Sequence, residues 1–558
     1  MRTRILHLPA IVIVVALLVV GCAQPAPTPV PADNSVAAPA QIASRPAPSP
    51  SPAAPARGGT LRYGLTLVVS AIDPHQGASS ELGIFLTSVY DPLVWQTPDG
   101  QFVPGLAQKW EISPDGKVYT FYLRPGVKFH DGTPLNAAAV KFSFDRIVDP
   151  ALKSQKASGM MGPYERTEVI DDLTVRVYFS EPYAPFLDAC SQVYLAIVSP
   201  TAVQKWGPDY REHQVGTGPF MLKEYVAKDH ITLQRNPDYA WAPAFMQHQG
   251  PAYLDEVIFR FYPDAATRAA ALEAGEVDVM GEVPPADATR LQSSGRFQLI
   301  PVKVPGQSLQ FFINTARFPT DSLQVRQAIL YAVDREAIVR TIFRNMSPVA
   351  WGPLSANTPY YARSVEGTYR YDLGKAKELL AQAGFGDTNG DGIVEKDGKP
   401  AVLDMIVQTW GYVPEVAQMV QAMLRQAGLD VKLQTMTYPA AVQAAGEGLH
   451  NLAPQSLSAS DPDILSPFFH SRNLPAGYNW SKFRDATMDR LLDEGAAASD
   501  PAKRSAAYAA VQKMIMDNAL ILPIRDYVNL NVATNQVKGL RFAMQGWFPW
   551  LYDVYLEK

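Results

Sequence analysis

From residue 105 the chain runs as short alternating apolar segments broken by turn residues, GLAQKWEISPDGKVYTFYLRPGVKFHDGTPLNAAAVKFSFDR, and the other elements can be placed around this stretch. Trp110 and Ile112 alternate with polar neighbours up to Pro114-Asp115-Gly116, a tripeptide suited to chain reversal, so a hairpin is expected. On the returning strand Val118, Thr120 and Tyr122 share one face and Tyr119, Phe121 and Leu123 the other, which predicts a central strand covered on both sides. Pro125-Gly126 and His130-Asp131-Gly132 make two further turns, and the His-Asp pair reads as turn chemistry rather than catalysis. A helix should follow Asn136, a good N-cap, with Val140, Phe144 and Ile147 on its buried face.

The same signals recur along the chain. Residues 61–65 read as a strand and 81–90 as a helix; another helix closes at Gly275. Ser322 and Asp334 are placed to cap two consecutive helices, the first with Val325, Ile329 and Val333 on one face. Residues 402–408, 414–427 and 429–435 form a strand, a helix stopped by Gly428 and a second strand, a βαβ unit that implies parallel pairing and an α/β fold. Asp500-Pro501 starts a late helix with Asp as N-cap and Pro in the first turn.

Length and composition narrow the picture. At about 100 to 200 residues per domain, 558 residues leave room for three globular domains. Discarding a leader with Arg2 and Arg4 takes the formal charge from −5 to −7, which argues against a nucleic-acid partner. Cys22 and Cys190 are the only cysteines, too few for a disulfide framework or thiolate metal site. Cys190 sits in an apolar run and reads as a buried small residue. Cys22 ends a basic, then apolar, leader with Val19-Val20-Gly21-Cys22, the pattern of a bacterial lipoprotein signal over residues 1–21 and lipidation at Cys22; the alternative is an uncleaved anchor. Residues 22–57, rich in Pro, Ala and Ser, cannot bury enough surface to fold and read as a tether. At about 3.1 Å per residue in polyproline II, such a tether reaches on the order of 100 Å.

Of enzyme chemistry there is no recognisable spacing: no G-x-S-x-G, H-E-x-x-H, Walker A or C-x-x-C. One constellation stands apart. Asp387, Asn389 and Asp391 supply oxygens at positions one, three and five of a loop with Gly392 at six and the Ile393 carbonyl at seven, as in a calcium loop. Position twelve is Gly398 instead of Glu, so Glu395 or Asp397 would have to complete the shell. A structural calcium and a solvated acidic turn both remain open. No other cofactor is required. Trp351, Trp410, Tyr412, Trp547 and Trp550 fall in irregular segments where a ring can line a cleft, although most such rings pack.

The stretch from residue 105, with its LA-x-x-W start, YTF, LR-x-GVKFHDGTPL and F-S-F-x-R, resembles the family 5 extracellular solute-binding proteins, receptors of peptide, nickel and opine ABC importers. Val215-Gly216-Thr217-Gly218-Pro219-Phe220, the VRQAI-x-YA-x-DRE segment and the KAKELL-x-x-AGF helix extend the resemblance over nearly the whole chain after residue 58. It implies a bilobal class II periplasmic-binding-protein-like α/β fold with an extra small α+β domain. Lobe I would comprise residues 58–97, 215–308 and 522–558, the small domain 98–214 and lobe II 309–521, with a hinge near 306–314. It further implies a monomeric receptor, not an enzyme, held outside the cytoplasmic membrane or in the periplasm by its lipid, closing on a solute and delivering it to ABC permease subunits. Its cleft would be lined by Val68, Val69, Ser70, Gln310, Trp410, Tyr412, Ser458, Asp461 and Trp547. Peptide-binding members carry a W-x-x-D-Y-x-[DE]-P loop whose aspartate meets the peptide amine; here Ser458 stands in that place, and Val68 where some carry an acid. Either Asp461 or Asp463 takes over the amine, or the ligand is neutral, such as an oligosaccharide stacked on Trp410 and Trp547. Short peptides stand slightly ahead. A solute sensor and a secreted hydrolase are the remaining alternatives.

Overall fold

A computed structural model describes residues 55–557 except Ser70 and Ala476, so Cys22 and most of the expected tether lie outside the described residues. Three sheets carry the architecture. A seven-stranded sheet is built around the strand Thr60–Leu65, which runs parallel to Glu256–Phe261 on one side and Val279–Met280 on the other. A five-stranded sheet orders Asp430–Met436, Val402–Gln408, Leu452–Gln455, Leu309–Ile313 and Ile521–Arg525. A four-stranded antiparallel sheet, with Ala107–Ile112, Val118–Leu123, Thr174–Phe179 and Tyr164–Asp171 side by side, forms the small domain.

The local chemistry explains the elements. Asn136 caps Ala137–Val148 by accepting from the Ala139 N–H at 3.0 Å, an interaction worth about 1 kcal/mol, and Val140, Phe144 and Ile147 are fully buried. The βαβ unit forms with the predicted parallel register, Val402 opposite Asp430 through Gln408 opposite Met436. Gly428, at φ +94, stops the intervening helix Val413–Gln426. The strand Val118–Leu123 is central, but Tyr119, Phe121 and Leu123 alone are buried. Its other face is only half covered, because the helix Ala137–Val148 and the aromatic cluster around Phe186 lie on one side.

Core packing divides the chain differently from the sheets. Side chains of the seven-stranded sheet (Leu61, Tyr63, Phe259) and of the small domain (Tyr119, Phe121, Val175) belong to one continuous apolar core, whereas the five-stranded sheet has its own. A large shared apolar interface resists relative motion, so lobe I and the small domain form one body and lobe II the other. The two bodies are joined where Phe297–Lys303 gives way to Leu309–Ile313, and where Ile521–Arg525 gives way to Val528–Thr534. The second crossing therefore falls at Asp526 and Tyr527, not at residue 522 as expected, because Ile521–Arg525 still pairs with Leu309–Ile313. No helix among the described residues is long and apolar enough to cross a membrane.

Candidate ligand cleft

Parallel strands leave a crevice beyond their carboxyl ends, where backbone ends and loops can converge on a ligand. In lobe I those ends bring Thr66, after Thr60–Leu65, together with Glu282, after Val279–Met280, and with Tyr527 at the start of the antiparallel neighbour. In lobe II the same edge carries Gln408, Gln455, Gln310 and Arg525. The two edges meet at the Arg525-Asp526-Tyr527 crossing.

A charged cluster sits at that meeting point. Arg525 is buried, donates from Nη1 to Ser347 Oγ at 2.8 Å, and lies 4.0 Å and 4.3 Å from the ring centroids of Phe343 and Tyr527. Its Nε has no partner. Burial pulls its pKa below the ordinary value, opposed by Tyr527 and Glu282. Across the crossing, Tyr527 donates to Glu282 Oε1 at 2.5 Å. Glu282 Oε2 is 2.8 Å from Thr66 Oγ1, which is 2.5 Å from Glu81 Oε1. Thr66 has a single hydroxyl proton for two carboxyls, and burial pushes Glu81 up to about 8, with Glu282 adding to the rise. Protonated Glu81 donating to Thr66 and Thr66 donating to Glu282 accounts for both short contacts, while Glu81 Oε2 is buried without a partner. Glu282 itself is held at φ +47, an uncommon backbone state for a non-glycine residue. Asp526 turns the other way, accepts from Ala356 N–H at 3.0 Å, and is raised to about 7 by burial.

The residues expected to line the cleft are placed as follows. Trp547 lies 5.4 Å from Tyr527 and Tyr412 stands edge-on to Phe343 at 5.5 Å, so both rings flank the Arg525 cluster. Trp410 donates to Gln408 on the lobe II edge. Gln310, Gln408 and Gln455 are fully buried or nearly so, and each has an amide nitrogen without a partner. Val68 is exposed just past the first strand, Val69 is buried with its carbonyl accepting from Tyr225, and Ser70 lies outside the described residues. Ser458 bridges to Gly306, so its loop lies along the first crossing. Trp351 stacks with Arg335 and Arg370, and Trp550 packs on Phe245.

Asp461 and Asp463, the expected replacement amine anchors, have partners within the protein. Asp461 is ion-paired with Arg504 at 2.8 Å and caps the turn at Asp463 N–H; Asp463 accepts from Ser466 Oγ at 2.5 Å. They adjoin a contact between the bodies, where Ser460 donates to Asp188 of the small domain at 2.5 Å and Ala184 N–H donates to Ala496 carbonyl at 2.9 Å, and Asp461 lines the cavity beside it. A cavity of about 450 Å³ opens beside this contact, between Gln101 and Phe102 on one side and Tyr360 and Arg504 on the other. His130 and Asp131 are structural: His130 Nε2 donates to Gly218 carbonyl at 3.0 Å and Asp131 accepts from Ser199 at 2.5 Å. Cys190 is buried.

Sequence reasoning missed Arg525, Glu282, Tyr527, Thr66 and Glu81. The available signal was the charged pair Arg525-Asp526, followed by Tyr527, interrupting the apolar run ILPIRDYVNLNVAT.

Two bodies on paired crossings, with polar groups gathered at facing sheet edges, define a solute receptor of the class II periplasmic-binding-protein type. The chain belongs to the bacterial extracellular solute-binding proteins, family 5, whose middle-region model matches residues 101–475. It is the solute-binding receptor of an ABC importer and not an enzyme. It is 28% identical over 466 residues, 82% of this chain and 86% of the relative, to the glutathione-binding protein GsiB of Shigella flexneri. Among solved structures, NikA of Brucella suis in complex with Fe(III)-EDTA is 25% identical, covering 89% of this chain and 100% of the other with a TM-score of 0.79. The periplasmic binding protein DppA of Helicobacter pylori in complex with peptide STSA is 27% identical, covering 90% and 99% with a TM-score of 0.74.

Proposed function

We propose that the imported solute is a short peptide with ionised ends, its carboxylate received by Arg525 and its amine by the Glu282 side of the cleft. The observation that carries this reading is the buried guanidinium with a free Nε at the junction of both lobes. A guanidinium matches a carboxylate in geometry, and a buried donor without a partner favours a ligand that supplies one. Glutathione and STSA, named for GsiB and DppA, are both peptides. Because Arg525 and Tyr527 belong to the crossing itself, a ligand bridging them and Glu282 favours the closed arrangement by its greater affinity for it. The mature chain is tethered to the membrane through a lipid on Cys22, acts as a monomer and presents its closed state to the permease subunits.

The test is calorimetry on ligand-stripped protein with a pool of di- to pentapeptides, glutathione and an oligosaccharide panel. Heat from peptides at one site per chain supports the reading. Heat from oligosaccharides alone supports the neutral ligand stacked on Trp410 and Trp547 and overturns it.

A further inference from the structure

We propose that residues 387–398 hold a calcium ion, through Asp387, Asn389, Asp391, the Ile393 carbonyl and Glu395. Carboxylate oxygens of Asp387, Asp391 and Glu395 lie within 4.8 Å of one another. An acidic cluster of that kind is common on exposed loops, and the deciding residue is Glu395. It is only 8% exposed, and its Oε1 is buried without a hydrogen-bond donor, while Oε2 accepts from Thr388 N–H at 2.8 Å and Thr388 Oγ1 at 3.0 Å. A carboxylate oxygen shut away from water with no donor is costly, and a cation shared with two neighbouring carboxylates removes the cost.

The loop is preformed around that point. Asp387 accepts from Gly390 N–H at 2.7 Å and Gly392 N–H at 3.0 Å, and Asp391 accepts from Ile393 N–H at 2.8 Å. Gly392 takes φ +83 at the sharp turn. Gly386 and Glu395 exchange backbone hydrogen bonds at 2.8 Å and 3.0 Å and close the base, and the Ile393 side chain is buried beneath it. Of the two residues weighed for completing the shell, Glu395 joins the group; Asp397 is exposed at φ +53 in the following hairpin turn and falls outside it. Arg425 donates to the Asp391 carbonyl at 3.2 Å and makes no ion pair with its carboxylate. All-oxygen donors in an irregular arrangement suit calcium better than magnesium, which demands near-ideal octahedral geometry. The loop precedes Val402–Gln408 and so sits at the amino end of that strand, opposite the ligand cleft. Its ion braces lobe II without touching the solute.

The experiment titrates EDTA-treated full chain with calcium chloride, and separately with magnesium chloride, by calorimetry and thermal melting. One calcium site with a midpoint on the order of 10⁻⁴ to 10⁻³ M, the range of extracellular calcium modules, and a calcium-dependent rise in Tm are expected. The isosteric pair Asp387→Asn with Asp391→Asn should weaken binding at least tenfold, and so should Glu395→Gln. Suppression by calcium of protease cleavage between residues 387 and 398 locates the site on the unmutated protein if a variant fails to fold. No calcium heat or Tm shift, equal binding by the variants, or cleavage indifferent to calcium would overturn the proposal.

Discussion

Replacing Arg525 by methionine keeps the length of the side chain and removes its charge from the place where the lobes meet. Arg525 is buried and stacked between Phe343 and Tyr527, so water cannot substitute for it. Truncating one member of a buried, hydrogen-bonded charge pair costs about 2 to 5 kcal/mol, which corresponds to roughly a 30-fold to several-thousand-fold loss of affinity. The replacement also removes a cation that interacts with Glu282, and that penalty falls on the free protein. A cycle separates the two effects: a peptide that binds is titrated as the free acid and as its C-terminal amide, against both the unmutated protein and Arg525→Met. The amide has no terminal charge for Arg525 to receive. The free acid should therefore lose most of its affinity in the variant while the amide, already weak, loses little. Equal losses for acid and amide would refute the role given to Arg525 and reduce it to packing.

Three further outcomes are expected. Asp188 is raised to about 7 by burial and by Asp461, in a contact that also contains Arg504, Asp463 and, nearby, Lys156. Its folded-state pKa lies above the unfolded value, so the native state keeps a proton that the unfolded chain releases, and this group's contribution falls as pH rises from about 4 toward 7; Asp188→Asn should gain stability relative to the unmutated protein across that window in chemical denaturation, and a constant difference would contradict the assignment. Gly306 takes φ +109 with the space for a side chain blocked 2.4 Å away by the backbone of Leu457 and Ala459, so Gly306→Ala should cost on the order of 1 to 3 kcal/mol and lower Tm by several degrees. Cys22→Ala should move the protein from the salt-washed membrane fraction to the soluble fraction, since lipoproteins hold by their acyl chains; a variant that stays with the membrane would rule out lipid on Cys22.

Much of the framework was legible because its causes are local. Asn136 caps its helix, Gly428 stops the next, and the period-2 and period-3.6 patterns fix which side chains enter the cores. Where the pattern was ambiguous it misled: Val118, Thr120 and Tyr122 look as apolar as their neighbours, yet they are only half-buried because nothing packs as tightly on that face. The cleft was far less legible. Thr66 and Glu81, Glu282 and Arg525 come from three distant stretches of the chain, and each looks like an ordinary polar residue until the fold brings them together. Asp461 and Asp463, one of two alternatives raised by the loop alignment, are paired with Arg504 and Ser466, partners that only the tertiary fold supplies.

Native mass spectrometry of the gently purified protein reads the ligand class without a choice of probe. A peptide receptor should show a single adduct per chain, released on denaturation and fragmenting as a peptide with a free carboxyl terminus. A sugar adduct, or an unliganded chain that also gives no heat with the peptide pool, would contradict that reading.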